Sequence, residues 1–288
     1  MDKSKFLITL AFIFTALGAI FIFQNQQSGE LRLIFCDVGQ GDGMLIISPG
    51  GHEAVVDAGA GGKMSGCLSK YMPYWDRTVE LIVPTHAHQE HMEGFLDIFN
   101  KYQIKNILTT NVPNDTQFYR EWQKEVAAEG AKVVEPTADN VVLLDPEKGQ
   151  ASAKFEVIYP TNQKVLGWKS NIPADLNDAS IVMRLTYGDF CAYLTGDLPK
   201  ETLEPLIDKP CQVLKVVHHG SRTGTSARLL EEISPKLAVI QVGRDNKYGH
   251  PHLEVLNQLS QHNIKILRND QSGTIEVDSN GKSWNVVN

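Results

Sequence analysis

The chain has 288 residues, 42% hydrophobic and 21% charged, with 27 Lys and Arg against 34 Asp and Glu for a formal net charge of −7. Such a chain buries one substantial core, which excludes extensive disorder and predicts a single folded domain. The acidic balance supplies no global basic footprint, so it disfavours tight nucleic-acid binding while leaving open a site where bound dications reverse the local sign.

The first predicted element is apolar. Residues 6–23 are eighteen consecutive uncharged positions, preceded by Lys3 and Lys5 and followed by a polar stretch at 24–29. That pattern predicts a short cytoplasmic stub (1–5), a transmembrane anchor (6–23), a linker (24–30) and a folded domain (31–288) held outside the cytoplasm at the cell membrane. A cleaved signal that releases a secreted domain is the competing expectation. The apolar run exceeds the roughly 7–15 residues of a signal core and lacks a small-x-small cleavage site, so the anchor is preferred.

Beyond the linker, apolar runs at 31–36, 44–48 and 53–57 are separated by glycine-rich turns, which predicts an antiparallel start. From residue 64 helical and strand-like patterns alternate: a strand ending at Pro84, a helix to Tyr102, a strand at 104–109, a helix around 118–128 and a strand at 132–135. A second half follows, with strands at 155–159, 181–187, 190–195, 213–217 and 237–241, and helices from 200, near 227–233 and at 253–261. Two similar mixed halves predict an α/β fold with two sheets face to face and helices outside, a four-layer αββα sandwich. Residues 162–177 lack periodicity and read as a loop, either near the site or merely on the surface. Cys36, Cys67, Cys191 and Cys211 show no metal-type spacing, and buried thiols are the expectation for them.

The most informative run is 84–94, Pro-Thr-His-Ala-His-Gln-Glu-His-Met-Glu-Gly, where a strand gives way to a helix. Imidazoles and a carboxylate so close together are a metal-ligand set. His86 and His88, two apart in an extended turn, can face one cation, while Glu90 and His91 reach a second beside it. The spacing therefore predicts two metals.

This block resembles the His-x-His-x-Asp-His signature of the metallo-β-lactamase superfamily, and further motifs place the chain near the branch typified by the C-terminal domain of the competence protein ComEC. Those motifs are Phe-Cys-Asp-Val-Gly-Gln-Gly-Asp at 35–42, Val-Val-Asp-Ala-Gly at 55–59, Asn-Asp-Ala-Ser at 177–180, Leu-Thr-Gly-Asp at 194–197, Leu-Lys-Val-Val-His-His-Gly-Ser at 214–221 and Tyr-Gly-His-Pro at 248–251. They run in the family's order. The resemblance implies two divalent ions, zinc or manganese, held by His86, His88, Glu90, His91, Asp197 and His218, with Asp197 bridging them.

It also implies that Asp57 orients the histidine loop and that His219 supports the ligands or faces a phosphate. Asp178 is a further candidate ligand, with loop stabilisation as its alternative. His250 is a candidate acid for the leaving group, with helix capping as its alternative, and Glu90 is a candidate catalytic carboxylate as well as a ligand. Ser221 and Asp42 are candidates for substrate contact. Glu90 stands where the family has Asp, and its extra methylene must be accommodated by the turn.

The function implied is metal-dependent hydrolysis of a phosphodiester, on single-stranded DNA during uptake beside a separate channel, or on a phosphorylcholine ester of the cell envelope. The rival reading is a degenerate binding or scaffold protein on the same fold, in which Glu90 and a missing third histidine mark the loss of one metal.

Overall fold

The computed structural model describes residues 29–287 together with Thr9, Phe12, Thr15 and Gly18. The expected anchor at 6–23 falls almost wholly outside the described residues, and among those described no helix is long and apolar enough to cross a membrane.

Among the described residues fifteen strands are formed: β1 Leu31–Phe35, β2 Gly43–Ile47, β3 Glu53–Ala58, β4 Thr78–Val83, β5 Gln103–Leu108, β6 Lys132–Val134, β7 Val141–Leu143, β8 Lys154–Tyr159, β9 Val182–Tyr187, β10 Phe190–Leu194, β11 Val213–Lys215, β12 Leu237–Ile240, β13 Lys265–Arg268, β14 Ile275–Ser279 and β15 Trp284–Val287. They make an eight-stranded sheet in the order β15-β14-β1-β2-β3-β4-β5-β6 and a seven-stranded sheet in the order β13-β12-β11-β10-β9-β8-β7. Each sheet is part antiparallel and part parallel, the change falling at β3 in the first and at β10 in the second. The parallel strands of both sheets end near one another, and the loops leaving those ends carry the histidines and aspartates.

Strand alternation builds the layers. In β10, Phe190, Ala192 and Leu194 enter the core between the sheets, where they join Met183 and Leu185 of β9 and Leu33, Phe35, Met44 and Ile46 of the other sheet. The intervening Tyr193 faces outward into a second core with the helices Ala227–Ile233 and Leu253–Gln261. The first sheet has its own outer core against the helices Lys63–Tyr71 and Gln117–Glu129, through Met64, Leu68, Phe118 and Trp122. Two sheets with helices on both outer faces are the four layers expected.

Packing rather than propensity holds the short helices. Seven residues are too few for a stable isolated helix, but the helix at Ala227–Ile233 buries Leu229, Leu230 and Ile233, each stabilising by roughly 1.5–3 kcal/mol. Its first turn is capped by Ser226, whose Oγ accepts from the Leu229 amide at 3.1 Å.

Two expectations are corrected. The stretch after 162 is not all loop: Asn162–Trp168 is a helix capped by Thr161, with Val165 buried and Trp168 packed edge-on to Tyr159 at 6.0 Å. About two turns of helix with a single buried residue leave little periodicity to read. The cysteines are not thiols: Cys36 pairs with Cys67 and Cys191 with Cys211, across Cα separations of 6.1 and 5.2 Å. The first bridge ties the exit of β1 to the helix Lys63–Tyr71, a proximity that tertiary packing creates and sequence spacing does not show.

Candidate metal centre

The site is organised from Asp57, at the end of β3, where φ is 55°. A non-glycine residue in the left-handed region is strained, and here the strain turns a fully buried carboxylate under the loop that follows β4. Its Oδ1 accepts from the Thr85 amide at 2.7 Å, and its Oδ2 accepts from the Thr85 hydroxyl at 2.8 Å. The same Oδ2 lies 2.9 Å from Nδ1 of His91. Donation from Nδ1–H leaves Nε2 of His91 with its lone pair outward, the tautomer a metal ligand requires.

Asp197 is delivered by the turn after β10. Gly196, at φ 50°, sits where a Cβ would come within 3.1 Å of Ser180 Cβ and 3.2 Å of Thr85 Cβ, so the turn requires glycine. Ser180 Oγ accepts from the Asp197 amide at 3.2 Å. The Asp197 Oδ2 atom then lies 3.2 Å from His91 Nε2, 3.5 Å from His219 Nε2 and 3.6 Å from His218 Nε2. Burial alone would raise its pKa, but His219, His91 and Lys215 hold the carboxyl well below its usual range.

His218 and His219 occupy one turn with φ values of 50° and 53°. Two successive left-handed residues send the rings apart. His219 points into the protein, with Nδ1 donating to the Gln241 carbonyl at 2.9 Å and lying 3.2 Å from Asp42 Oδ1, while Nε2 is 3.7 Å from Glu90 Oε1. Burial works against its charge, but Asp197 and Asp42 prevail and raise its pKa to about 9. His218 instead lines an open cleft of 540 Å³ together with His88, Glu90, Gln40, Asn177 and Tyr248. His86 and His88 meet at 2.9 Å between Nε2 and Nδ1. Burial is the largest influence on both and pushes them below the usual imidazole range.

Ligand atoms of Glu90, His91, Asp197 and His219 all lie within 4.8 Å of one another. Both Asp197 oxygens and the Nε2 atoms of His91 and His219 are buried and make no hydrogen bond among the described residues. Buried polar atoms left unpaired are costly. Converging imidazole nitrogens and carboxylate oxygens in that state fit a divalent cation.

The expected residues divide accordingly. His86, His88, Glu90, His91, Asp197 and His218 come together around the cleft and its floor, and His219 joins the ligand atoms themselves rather than standing behind them. Asp42 does not face substrate: it is fully buried, ion-paired with Lys215 and backing His219. Asp178 belongs to none of the ligand groups found among the described residues; its backbone carbonyl accepts from Tyr159 Oη at 2.9 Å, and Ser180, two residues on, is the member of that motif that reaches the site. Ser221 is buried at 6% exposure and lies 3.0 Å from Thr223 Oγ1, which in turn lies 3.5 Å from His218 Nδ1. The His250 ring stands 5.7 Å from that of His218 and stacks on Tyr248, its pKa lowered to about 4 by burial and by His219 and His218. At neutral pH it is a neutral imidazole, able to donate or accept a hydrogen bond.

Lys215 belongs to the motif at 214–221, and the sequence reading gives it no role at the site. Its side chain is fully buried, with Nζ donating to the Gly196 carbonyl at 3.0 Å and lying 3.6 Å from Asp197 Oδ1. A lysine inside the apolar run of β11 is the available signal, because a buried ammonium demands carboxylates. Gln241 carries no such signal; its amide donates to the carbonyls of Cys36 at 3.2 Å and Gly43 at 2.9 Å, joining the two sheets beneath the site.

Residues 36–244 match the family model of the metallo-beta-lactamase superfamily. The chain is 27% identical to ComE operon protein 3 of Bacillus subtilis over 95% of its own length and 36% of that protein's. It is 38% identical to the competence protein ComA of Neisseria gonorrhoeae over 42% of its length and 17% of that protein's. The chain thus spans about a third or less of these competence relatives. Among solved structures, the metallo-beta-lactamase fold protein YhfI from Bacillus subtilis superposes with a TM-score of 0.53 at 14% identity, covering 85% of this chain and 99% of that one. With the family model matched over most of its length, the chain belongs to the metallo-β-lactamase superfamily and is related to ComEC-like competence proteins.

Proposed function

We propose that this protein is a metal-dependent phosphodiesterase acting outside the cytoplasm, on DNA in the course of its uptake. The observation that carries the chemistry is Asp197: a buried carboxylate with neither oxygen hydrogen-bonded among the described residues, faced by His91, His218 and His219. His86, His88 and Asp197 would hold one divalent ion, zinc or manganese, and Glu90, His91, Asp197 and His219 the other, with His218 at the mouth of the cleft. Such ions, when bound, polarise a phosphoryl oxygen and lower the pKa of water at the site.

The protein's own groups do the rest. Asp57 fixes the His91 ring, and Lys215 offsets negative charge on Asp42 and Asp197. His250, neutral and beside His218, can hold a phosphate oxygen or the leaving oxygen through a hydrogen bond. Glu90 Oε1 reaches within 3.7 Å of His219 Nε2, so the longer carboxylate is accommodated by the turn, which favours an enzyme over a degenerate scaffold.

The competence relatives support DNA as the substrate, beside a separate uptake channel. Two disulfides support an oxidising compartment and hence a domain outside the cytoplasm, as either an anchor at 6–23 or a cleaved signal would place it. Elemental analysis of the purified protein, with turnover of single-stranded DNA and of a bis-aryl phosphodiester, tests the reading. Metal-dependent cleavage of both is expected. Bound metal with no ester cleaved would leave the scaffold.

A further inference from the structure

Gln40 lines the catalytic cleft and also a second, polar hollow of 450 Å³, whose walls carry Lys63, Arg244, Asp37, Asp245 and Asp270. Among the described residues no lysine or arginine lines the cleft itself. The hollow supplies two. Neither cation is engaged by a carboxylate: Arg244 Nε donates only to the Asp270 backbone carbonyl at 3.3 Å, and Lys63 has no partner among the described residues. Asp270 does not neutralise them, because its carboxylate is held by the Arg268 guanidinium at 2.9 and 2.6 Å.

The junction has a free donor. Gln40 Oε1 accepts from the Gly243 amide at 3.3 Å, while its Nε2 is buried without a hydrogen-bond partner among the described residues. The chain passes close to itself at this wall: a Cβ on Gly243 would fall 2.6 Å from the backbone nitrogen of Gln40, and one on Gly39, at φ 85°, would come within 3.0 Å of Lys63 Nζ. An unpaired buried amide and two unpaired cations, next to a centre suited to phosphoryl chemistry, call for an anionic oxygen-rich ligand.

We propose that this hollow is a subsite for the phosphate of the unit next to the scissile one in a polymeric phosphodiester, with Lys63 and Arg244 holding its oxygens and Gln40 Nε2 donating at the junction. The subsite rests on the phosphodiester reading and deepens it: the substrate is a chain, not an isolated ester. On a protein of net charge −7 these local cations decide whether a polyanion can dwell in the cleft. Asp37 and Asp245 also line the hollow.

The test is a Lys63→Ala, Arg244→Ala double variant of the full chain, assayed on a single-stranded oligodeoxynucleotide, on a polyol-phosphate polymer and on a bis-aryl phosphodiester. The ratio of kcat/KM for the polymer to that for the small ester should fall about tenfold, through KM. The salt dependence of polymer binding should become shallower by about 0.7 in log–log slope, because one phosphate of the polymer is no longer neutralised. The variant carrying Lys63→Arg with Arg244→Lys should recover most of the ratio. A fall confined to the oligonucleotide identifies a nucleic-acid chain, and one confined to the polyol polymer identifies an envelope chain; both uphold the subsite. An unmoved ratio, with the wild type active on all three, overturns the subsite alone. A wild type that turns over no ester at all overturns the reading beneath it as well.

Discussion

Lys215 and Asp42 form an ion pair in which neither side chain has any solvent exposure, directly behind His219. The pair is not isolated. Asp42 also backs His219, and the ammonium reaches Gly196 and Asp197, so β11 and the loop after β1 are joined through charge at the floor of the site.

Replacing one member leaves the other buried and uncompensated. Lys215→Met should therefore destabilise the fold by about 3–5 kcal/mol in urea unfolding, whereas Lys215→Met combined with Asp42→Leu should recover most of that loss. Additive losses in the double variant would show that the two charges do not depend on each other.

Asp57 sets the His91 tautomer. Asp57→Asn keeps the shape but can offer its amide nitrogen, a donor, toward Nδ1, which favours a proton on Nε2 where a ligand lone pair is needed. Metal affinity should weaken about 10–100-fold with the far-ultraviolet circular dichroism unchanged. Unaltered affinity, measured by competition with a chelating dye, would remove Asp57 from this role.

Asp57 and Lys215 also mark the border of what the sequence makes legible. Asp57 and Asp197 each close an apolar strand run and emerge at its end, so period-two patterning is enough to place them. The four layers follow from the same alternation. Lys215 sits inside a run, and its partner Asp42 lies 173 positions earlier in a glycine-rich turn, 215 less 42. Nothing local links them. Likewise, local sequence does not say which of two adjacent histidines turns inward: successive positive φ values decide that, and they send His219 to Asp197 and Glu90 while His218 lines the cleft. The disulfides are hidden for the same reason, since helix-on-sheet packing brings Cys67 to Cys36.

Glu53 gives a pH dependence away from the site. Burial first, then Asp76 and Glu80, raise its carboxyl to about 9 from an ordinary 4.5. The folded state thus keeps a proton that the unfolded chain releases above 4.5. Stability from this group is complete below about 4.5, declines as pH rises, and levels off above about 9. Glu53→Gln should remove that decline, so its advantage in urea midpoint over the wild type should widen between pH 5 and 9. Parallel curves across that window would show that Glu53 is ionised in the fold.

Glu90 accepts a length that the family's aspartate lacks. Glu90→Asp should keep or raise hydrolysis, because the shorter carboxylate suits the usual geometry of this turn. Lost turnover in a folded Glu90→Asp protein would mark Glu90 as tuned to its neighbours here.

The central claim is that Asp197 is shared by the metals of one catalytic centre. Elemental analysis of the wild type and of Asp197→Ala, each paired with hydrolysis of a bis-aryl phosphodiester, tests it most directly. The wild type should hold about two divalent ions per chain, and Asp197→Ala should lose both the ions and the turnover while remaining folded. Undiminished metal content and hydrolysis in Asp197→Ala would contradict the account.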